Sequence, residues 1–268
     1  MYEKFWGFRE PPFATGLASS ACDTAQVHEE ALARLHFLLS GHRRLGLLLG
    51  EWGIGKSHVL DVFAGQLKYR PCQVAKFSAL GCDVCEFLAT LACGLGVNPE
   101  VHRTQRDLWT VVADRLTEFQ YQRMAAVVLV DDVDDAVPEV LVQLARLAQW
   151  PGAAETHLTI VLAARRERML SLGRRLLELA DLRIDLWPWT ADAVRQYIET
   201  ALRNAGRKEP AFNDDALVRL HELSQGIPRR VQQLAELALV AAAARKAPRV
   251  DTATLDGVFE ELAVPEPA

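Results

Sequence analysis

The chain has 268 residues, half of them hydrophobic and 24% charged, with a formal net charge of −5. That length suits one large domain, or a large domain followed by a small one, and the composition is that of a folded rather than a disordered chain. The acidic balance excludes the basic field expected of a dedicated nucleic-acid binder. No apolar run approaches the roughly 20 residues that cross a bilayer, and Met1–Phe13 lacks the basic-then-apolar order of a signal peptide. The expectation is a cytoplasmic protein without membrane insertion.

An aromatic, proline-punctuated opening (Phe5, Trp6, Phe8, Pro11, Pro12, Phe13) leads to a predicted helix over His28–Leu39, with Ala31, Leu35 and Leu38 or Leu39 at helical spacing. The short apolar run Leu45–Leu49 then ends in a glycine-rich turn that passes directly into a helix carrying Val59, Leu60, Val62, Phe63 and Leu67. Strands near Cys72–Phe77, Val127–Val130, Leu158–Ala163 and Leu182–Leu186 alternate with helices through Leu95, Leu108–Phe119, Val140–Leu147 and Met169–Leu179. Continuously apolar strands alternating with amphipathic helices predict an α/β fold, a parallel sheet covered on both faces.

After Trp187-Pro188-Trp189 the strand signals stop. Helices are predicted over Ala191–Asn204, Asp214–Leu223, Pro228–Arg245 and Thr252–Leu262, with Thr190, Asn213 and Asp251 as N-caps and Pro228 in a first turn. A boundary near residue 188 separates an N-terminal segment plus α/β domain, 1–188, from a small helical domain, 189–268, whose tail Val264–Ala268 is expected to fray.

Two side features have an ordinary reading. The five cysteines form no secreted framework, and Cys82 with Cys85 makes a C-x-x-C without a second ligand pair at metal spacing. The apolar stretch they open, Asp83–Leu95, favours small buried thiols over a redox or zinc pair. Arg165, Arg166, Arg168, Arg174 and Arg175 cluster in sequence, either as a solvated helix face or as a local basic patch.

The chemistry concentrates in Gly50-Glu51-Trp52-Gly53-Ile54-Gly55-Lys56-Ser57, a G-x-x-x-x-G-K-[ST] loop between a buried strand and a helix start. Glycines 50, 53 and 55 let successive backbone N–H groups, Ile54 among them, turn inward around phosphate oxygens at the positive end of the helix. Lys56 supplies the point charge on the β- and γ-phosphates, and Ser57 offers its hydroxyl to Mg²⁺. A second carboxylate site is needed at the end of a neighbouring strand, and Val127-Val128-Leu129-Val130-Asp131-Asp132 fits it. Four apolar β-formers followed abruptly by acids are costly unless the acids face a cation at the carboxyl edge of the sheet. Asp131 is assigned to Mg²⁺ and Asp132 to the attacking water. The alternative makes these acids, with Asp134 and Asp135, an acidic turn or helix cap.

With these residues in place the chain resembles the AAA+ P-loop ATPases, specifically the ExeA-like group (general secretion pathway protein A) and the transposition ATPases of the TniB and TnsC kind. The likeness covers nearly the whole chain and rests on Phe5-x-x-Phe8-x-x-Pro11-Pro12-Phe13, His28-Glu29-Glu30-Ala31-Leu32, the phosphate loop and Ser224-Gln225-Gly226-Ile227-Pro228-Arg229. It implies a sheet in the order 5-1-4-3-2, a helical lid, and adenine held between the lid and the N-terminal segment, where Phe13 is the candidate contact. It implies activity in a homo-oligomer and makes Arg229 a lid arginine that reaches the γ-phosphate, with Arg174 and Arg175 as the two candidates for a finger offered to a neighbouring subunit. It also marks departures: Asp132 where glutamate is usual, Arg165 where relatives carry glutamine, and His58 in place of a threonine next to the loop. The secretion ATPases continue into a membrane segment and a cell-wall-binding region, so the secretion role is not expected to transfer.

Two functions are compatible with these residues. One is an ATP-hydrolysing motor or switch, cycling between ATP and ADP and acting on a protein or protein–DNA partner. The other is a nucleotide-dependent scaffold that assembles on DNA with little or no turnover, motivated by Asp132 and Arg165.

Overall fold

The apolar run Leu45–Gly50 forms strand β1 and is buried at every position, which a strand tolerates where helices cover both faces of its sheet. In this computed structural model, which describes residues 2–13, 26–99, 104–151 and 157–262, four more strands run parallel to it. They are β2 (Cys72–Ser78), β3 (Ala125–Asp131), β4 (Leu158–Arg165) and β5 (Leu182–Asp185). Their order is β2-β3-β4-β1-β5, the expected 5-1-4-3-2 read from the other edge. Register pairs Gly50 with Arg165 and Ser78 with Asp131, so the ends of β1 and β4, and those of β2 and β3, are aligned at the carboxyl edge.

Helices α1 (Tyr2–Trp6) and α2 (Gln26–Ser40) precede β1, and α3 (Lys56–Leu67) follows it. Next come α4 (Val84–Gly94), α5 (Gln105–Gln122), α6 (Pro138–Ala148) and α7 (Arg174–Leu179). Phe63, Phe87 and Phe119 from α3, α4 and α5 are fully buried, each contributing about 1.5–3 kcal/mol by leaving water. The single helix expected over Met169–Leu179 is instead a 3-10 stretch, Arg166–Leu172, followed by α7. Gly173, at φ +80°, separates them, a backbone state that glycine enters without strain and that ends a right-handed helix.

By contact density the chain divides into two units. An α/β unit comprises Glu30–Trp52 and Lys56–Leu186, and a helical unit comprises Met1–Glu29, Gly53–Gly55 and Trp187–Ala268. The described N-terminal residues therefore group with the later helices, whereas the expected boundary at 188 puts them with the α/β part. The cause is aromatic packing: Trp6, Phe8 and Phe13 share one core with Trp189, Tyr197 and Val231, and the Trp6 indole donates to the Leu239 carbonyl at 2.9 Å.

The helical unit is completed by α8 (Ala191–Asn204), α9 (Asp214–Ser224), α10 (Pro228–Ala244) and α11 (Thr252–Leu262). Thr190 caps α8 by accepting from the Ala193 amide, and Asp251 accepts from the amide and hydroxyl of Thr254. Asn213 precedes α9 with extended backbone but makes no side-chain cap bond. Its backbone N–H donates to the Val250 carbonyl at 3.0 Å, and the acids Asp214 and Asp215 of the first turn complement the helix dipole.

Gly226 joins α9 to α10 at φ +67°, and a Cβ there would lie 2.2 Å from the Trp189 carbonyl oxygen. Gly226→Ala is expected to cost about 2–4 kcal/mol, combining a positive φ with a backbone clash. Gly257→Ala in α11, with open space around the site, is expected to be neutral or to stabilise by about 0.5–1 kcal/mol. Thermal melts of the two variants check the contrast.

Candidate nucleotide site

Gly50 closes β1 in buried, extended backbone, and the loop turns at Gly53 (φ +80°) and Gly55 (φ +105°), conformations that side chains resist. Ile54 between them is 1% exposed. Its carbonyl lies 3.2 Å from the Nε2 of buried His28. In the same helical unit the Gly53 carbonyl accepts from the Arg229 amide at 3.3 Å. Gly53 is therefore required twice over: its φ is positive, and a Cβ would meet the Arg229 Cβ at 3.1 Å.

In the α/β unit, Lys56 opens α3 and is 8% exposed. Its ammonium donates to the carbonyls of Gly50 and Glu51 at 3.1 and 3.0 Å. Burial pushes its pKa below the ordinary lysine value, against the opposing fields of Asp131, Asp134, Asp132 and Glu167. Asp131 ends β3, is 6% exposed, and accepts from the Ser57 hydroxyl and from the Asp132 amide. Burial raises its pKa, while the Ser57 hydrogen bond pulls it down. A lysine and a carboxylate that burial disfavours as ions, set together at the N-terminus of α3, suit a triphosphate and its cation. Ser57 and Asp131 offer hard oxygen donors of the kind that could hold Mg²⁺. Among the described residues no group of three or more His, Cys, Asp or Glu is placed to hold a metal by itself.

Asp132 follows at φ +51°, in the left-handed region, and its Oδ2 accepts from the Ser78 hydroxyl at 3.0 Å. Ser78 lies at the end of β2, opposite Asp131.

A protein-family profile described as an AAA domain matches residues 39–169. General secretion pathway protein A of Aeromonas hydrophila is 31% identical over 249 residues, covering 91% of this chain and 45% of that protein. Two solved structures share the fold at low identity. Cdc6p of Pyrobaculum aerophilum has a TM-score of 0.75 at 16% identity over 95% of this chain and 72% of its own. The ORC1 protein of Aeropyrum pernix, solved in complex with DNA, has a TM-score of 0.69 at 18% identity over 95% of this chain and 70% of its own. This chain carries an AAA domain on a P-loop ATPase fold. It spans less than half the length of the Aeromonas relative.

In this chain the expected motif residues fall into distinct settings. Arg165, at the expected polar sensor position, is bound by acids: its Nε donates to Asp134 at 2.5 Å and its Nη2 to Asp135 at 2.6 Å. The Asp134 side chain is only 2% exposed, and Arg168 pairs with Asp135. The acidic-turn reading therefore applies to Asp134 and Asp135, which form a 3-10 turn after β3. Arg166 donates to Asp185 and to the Leu186 carbonyl. Arg165, Arg166 and Arg168 are paired with acids of the same unit, so of the arginine cluster only Arg174 and Arg175, on α7, fit the reading of a solvated helix face.

Arg174 is 90% exposed in its side chain and pairs with Glu178 one helical turn along, whereas Arg175 donates to Gln149. Phe13 is buried against Tyr197 in the helical unit, ring centroids 6.1 Å apart. His58 is buried on α3, and Arg229 lies in the first turn of α10 with its side chain exposed.

Cys85 is exposed and Cys82 half-buried, contrary to the expectation of buried thiols. Asp83 caps α4 by accepting from the Cys85 and Glu86 amides, so Cys85 falls in the first turn, ahead of a buried stripe that begins at Phe87. The fifth cysteine, Cys22, lies outside the described residues.

Sequence reasoning missed Ser78 and the Asp134–Arg165 pair. The first depends on the register of β2 against β3, and the second joins residues 31 apart; neither has a local pattern. Breaking a buried pair strands a charge, so Asp134→Ala is expected to cost about 2–4 kcal/mol. Asp135→Ala, at an exposed acid, should cost less than about 1 kcal/mol. Urea unfolding of both variants checks the difference.

Proposed function

We propose that this chain binds ATP with Mg²⁺ and hydrolyses it as an oligomeric switch that acts on a protein or protein–DNA partner. The observation that carries this reading is the convergence of Lys56, Ser57 and Asp131, all supported by backbone or by one another, at the mouth of the phosphate loop. Bound magnesium would neutralise charge developing on the phosphates; Ser57 and Asp131 are the residues that would hold it. Lys56 would bind the β- and γ-phosphates, exchanging its loop carbonyls for them. Asp132 would orient the water, and Arg229, next to Gly53, would respond to the γ-phosphate.

Between the two finger candidates, Arg174 is favoured. Its present partner is a surface pair worth less than about 1 kcal/mol, so little holds it back from a neighbouring subunit. Lys56→Ala is expected to lower turnover on the order of 10²-fold or more. Arg174→Ala is expected to lower it about 10³-fold with ATP affinity retained, and Arg175→Ala to have a much smaller effect. Turnover per subunit should rise with protein concentration. Steady-state ATPase assays across a dilution series, paired with fluorescent-nucleotide binding, read all of these; full activity in Lys56→Ala defeats the proposal.

A second reading, a DNA-assembling scaffold with little turnover, is favoured by one specific observation. Asp132 is the shorter acid and its carboxylate is engaged by Ser78. In the switch reading Ser78→Ala frees that carboxylate and raises the ATPase rate several-fold, as does Asp132→Glu through added reach. If neither substitution changes the rate while ATP still promotes assembly on duplex DNA, the scaffold reading replaces the first.

A further inference from the structure

The helix-to-strand turns of the α/β unit all emerge at the amino edge of the sheet, opposite the phosphate loop. In sheet order they are 68–71 before β2, 123–124 before β3, 149–151 with His157 before β4, 41–44 before β1 and 180–181 before β5. The backbone holds them side by side: the Ala125 amide donates to the Pro71 carbonyl at 3.3 Å, and the Ile160 amide to the Arg44 carbonyl at 2.7 Å. His42 and His157 stack with ring centroids 4.0 Å apart.

These turns carry Lys68, Arg70, Arg123, Arg43 and Arg44, and among their described residues the sole carboxylate is Asp181. Asp181 is occupied by the amides of Arg44 and Leu45 and by a 3.8 Å contact with Arg43. Among the described residues, the side chains of Lys68, Arg70, Arg123 and Arg44 make no ion pair or hydrogen bond. Two tyrosines stand almost wholly in water here, Tyr69 in the turn before β2 at 97% exposure and Tyr121 in the last turn of α5 at 85%. Helix C-termini gather at this edge and attract cations, which accounts for the sign of the charge but not for tyrosines beside it. The chain as a whole is acidic, so the concentration is local.

We infer that this edge is a docking surface for the phosphate backbone of duplex DNA. Four strand spacings make the stripe about 19 Å long, enough to follow several phosphates along one strand. Lysine and arginine supply sequence-independent attraction, and tyrosine hydroxyls are regular donors to phosphate oxygens. An anionic membrane would present similar charge, but the exposed large apolar side chains of these turns and of the last helical turn before each are aromatic, Tyr69, Tyr121 and Phe37, with no aliphatic group to enter a bilayer. The inference gives the scaffold reading a surface, and it can fail while ATP binding stands.

The test is fluorescence anisotropy of a short labelled duplex of arbitrary sequence with the full chain. Five cations predict a log–log salt slope near −4.5, so affinity should fall about 500-fold between about 50 and 200 mM salt. The double variant Arg70→Ala with Arg123→Ala should bind at least about tenfold more weakly at low salt and reduce the slope by about two. Its melting temperature and fluorescent-nucleotide affinity should match the wild type. A charge-matched control, Arg34→Ala with Arg245→Ala, should leave DNA binding unchanged. No duplex binding at low salt, equal loss in the control, or retention on anionic vesicles without duplex binding overturns the inference; nucleotide binding in the same samples reports separately on the ATPase reading.

Discussion

Two ions that burial disfavours, the Asp131 carboxylate and the Lys56 ammonium, sit at the carboxyl edge of the sheet, and the rest of the site is arranged to hold them. Asp131 is steadied by the Ser57 hydroxyl and the Asp132 amide, and Lys56 by two loop carbonyls. Neither arrangement neutralises its charge with a dedicated partner of opposite sign in direct contact. A protein that keeps such groups in a low-dielectric corner pays stability for them, and the natural return is a ligand bearing both signs, such as a phosphate chain with a divalent cation.

The acids just beyond are handled differently. Asp134 is equally buried, yet its charge is met inside the protein by Arg165, which also reaches Asp135. The AAA+ pattern leads one to expect a polar residue reading the nucleotide at 165; this chain has put there an arginine that ties the turn after β3 to the end of β4. The change at 165 and the acidic run Asp134-Asp135 are thus one feature. An extra acid after the strand demands a cation, and the neighbouring strand end is the nearest place to supply it.

Much of this was legible in the residues. Apolar runs that end abruptly marked β1, at a glycine, and β3, at two acids, and Gly50–Ser57 declared its own chemistry because the phosphate loop is a local motif. Thr190, Asp251 and Pro228 announced helix starts by capping rules that also act over a few residues. What stayed hidden were relations between distant segments. Ser78 gained meaning only from its register with Asp131, Asn213 ties its backbone N–H to distant Val250 and makes no side-chain cap bond, and Arg165, Arg166 and Arg168 looked like a surface cluster until their acids appeared from other parts of the chain. Gly173 was visible, but periodicity across Met169–Leu179 hid its consequence.

The parallel topology sorts charge between two edges. At the carboxyl edge α3 and α4 present their N-termini, so donors and anion-seeking groups collect there, and the acids placed there need Lys56, Arg165 and Arg168 to balance them. At the amino edge α2, α3 and α5 present their C-termini, where cations are favoured and acids are not. A chain with a net negative charge can therefore carry a strongly positive rim without any basic run in its sequence, because Arg43, Arg70 and Arg123 are brought together by strand order alone. Composition argued against a basic field over the whole molecule; it had no means of showing that the folded sheet gathers one at a single edge.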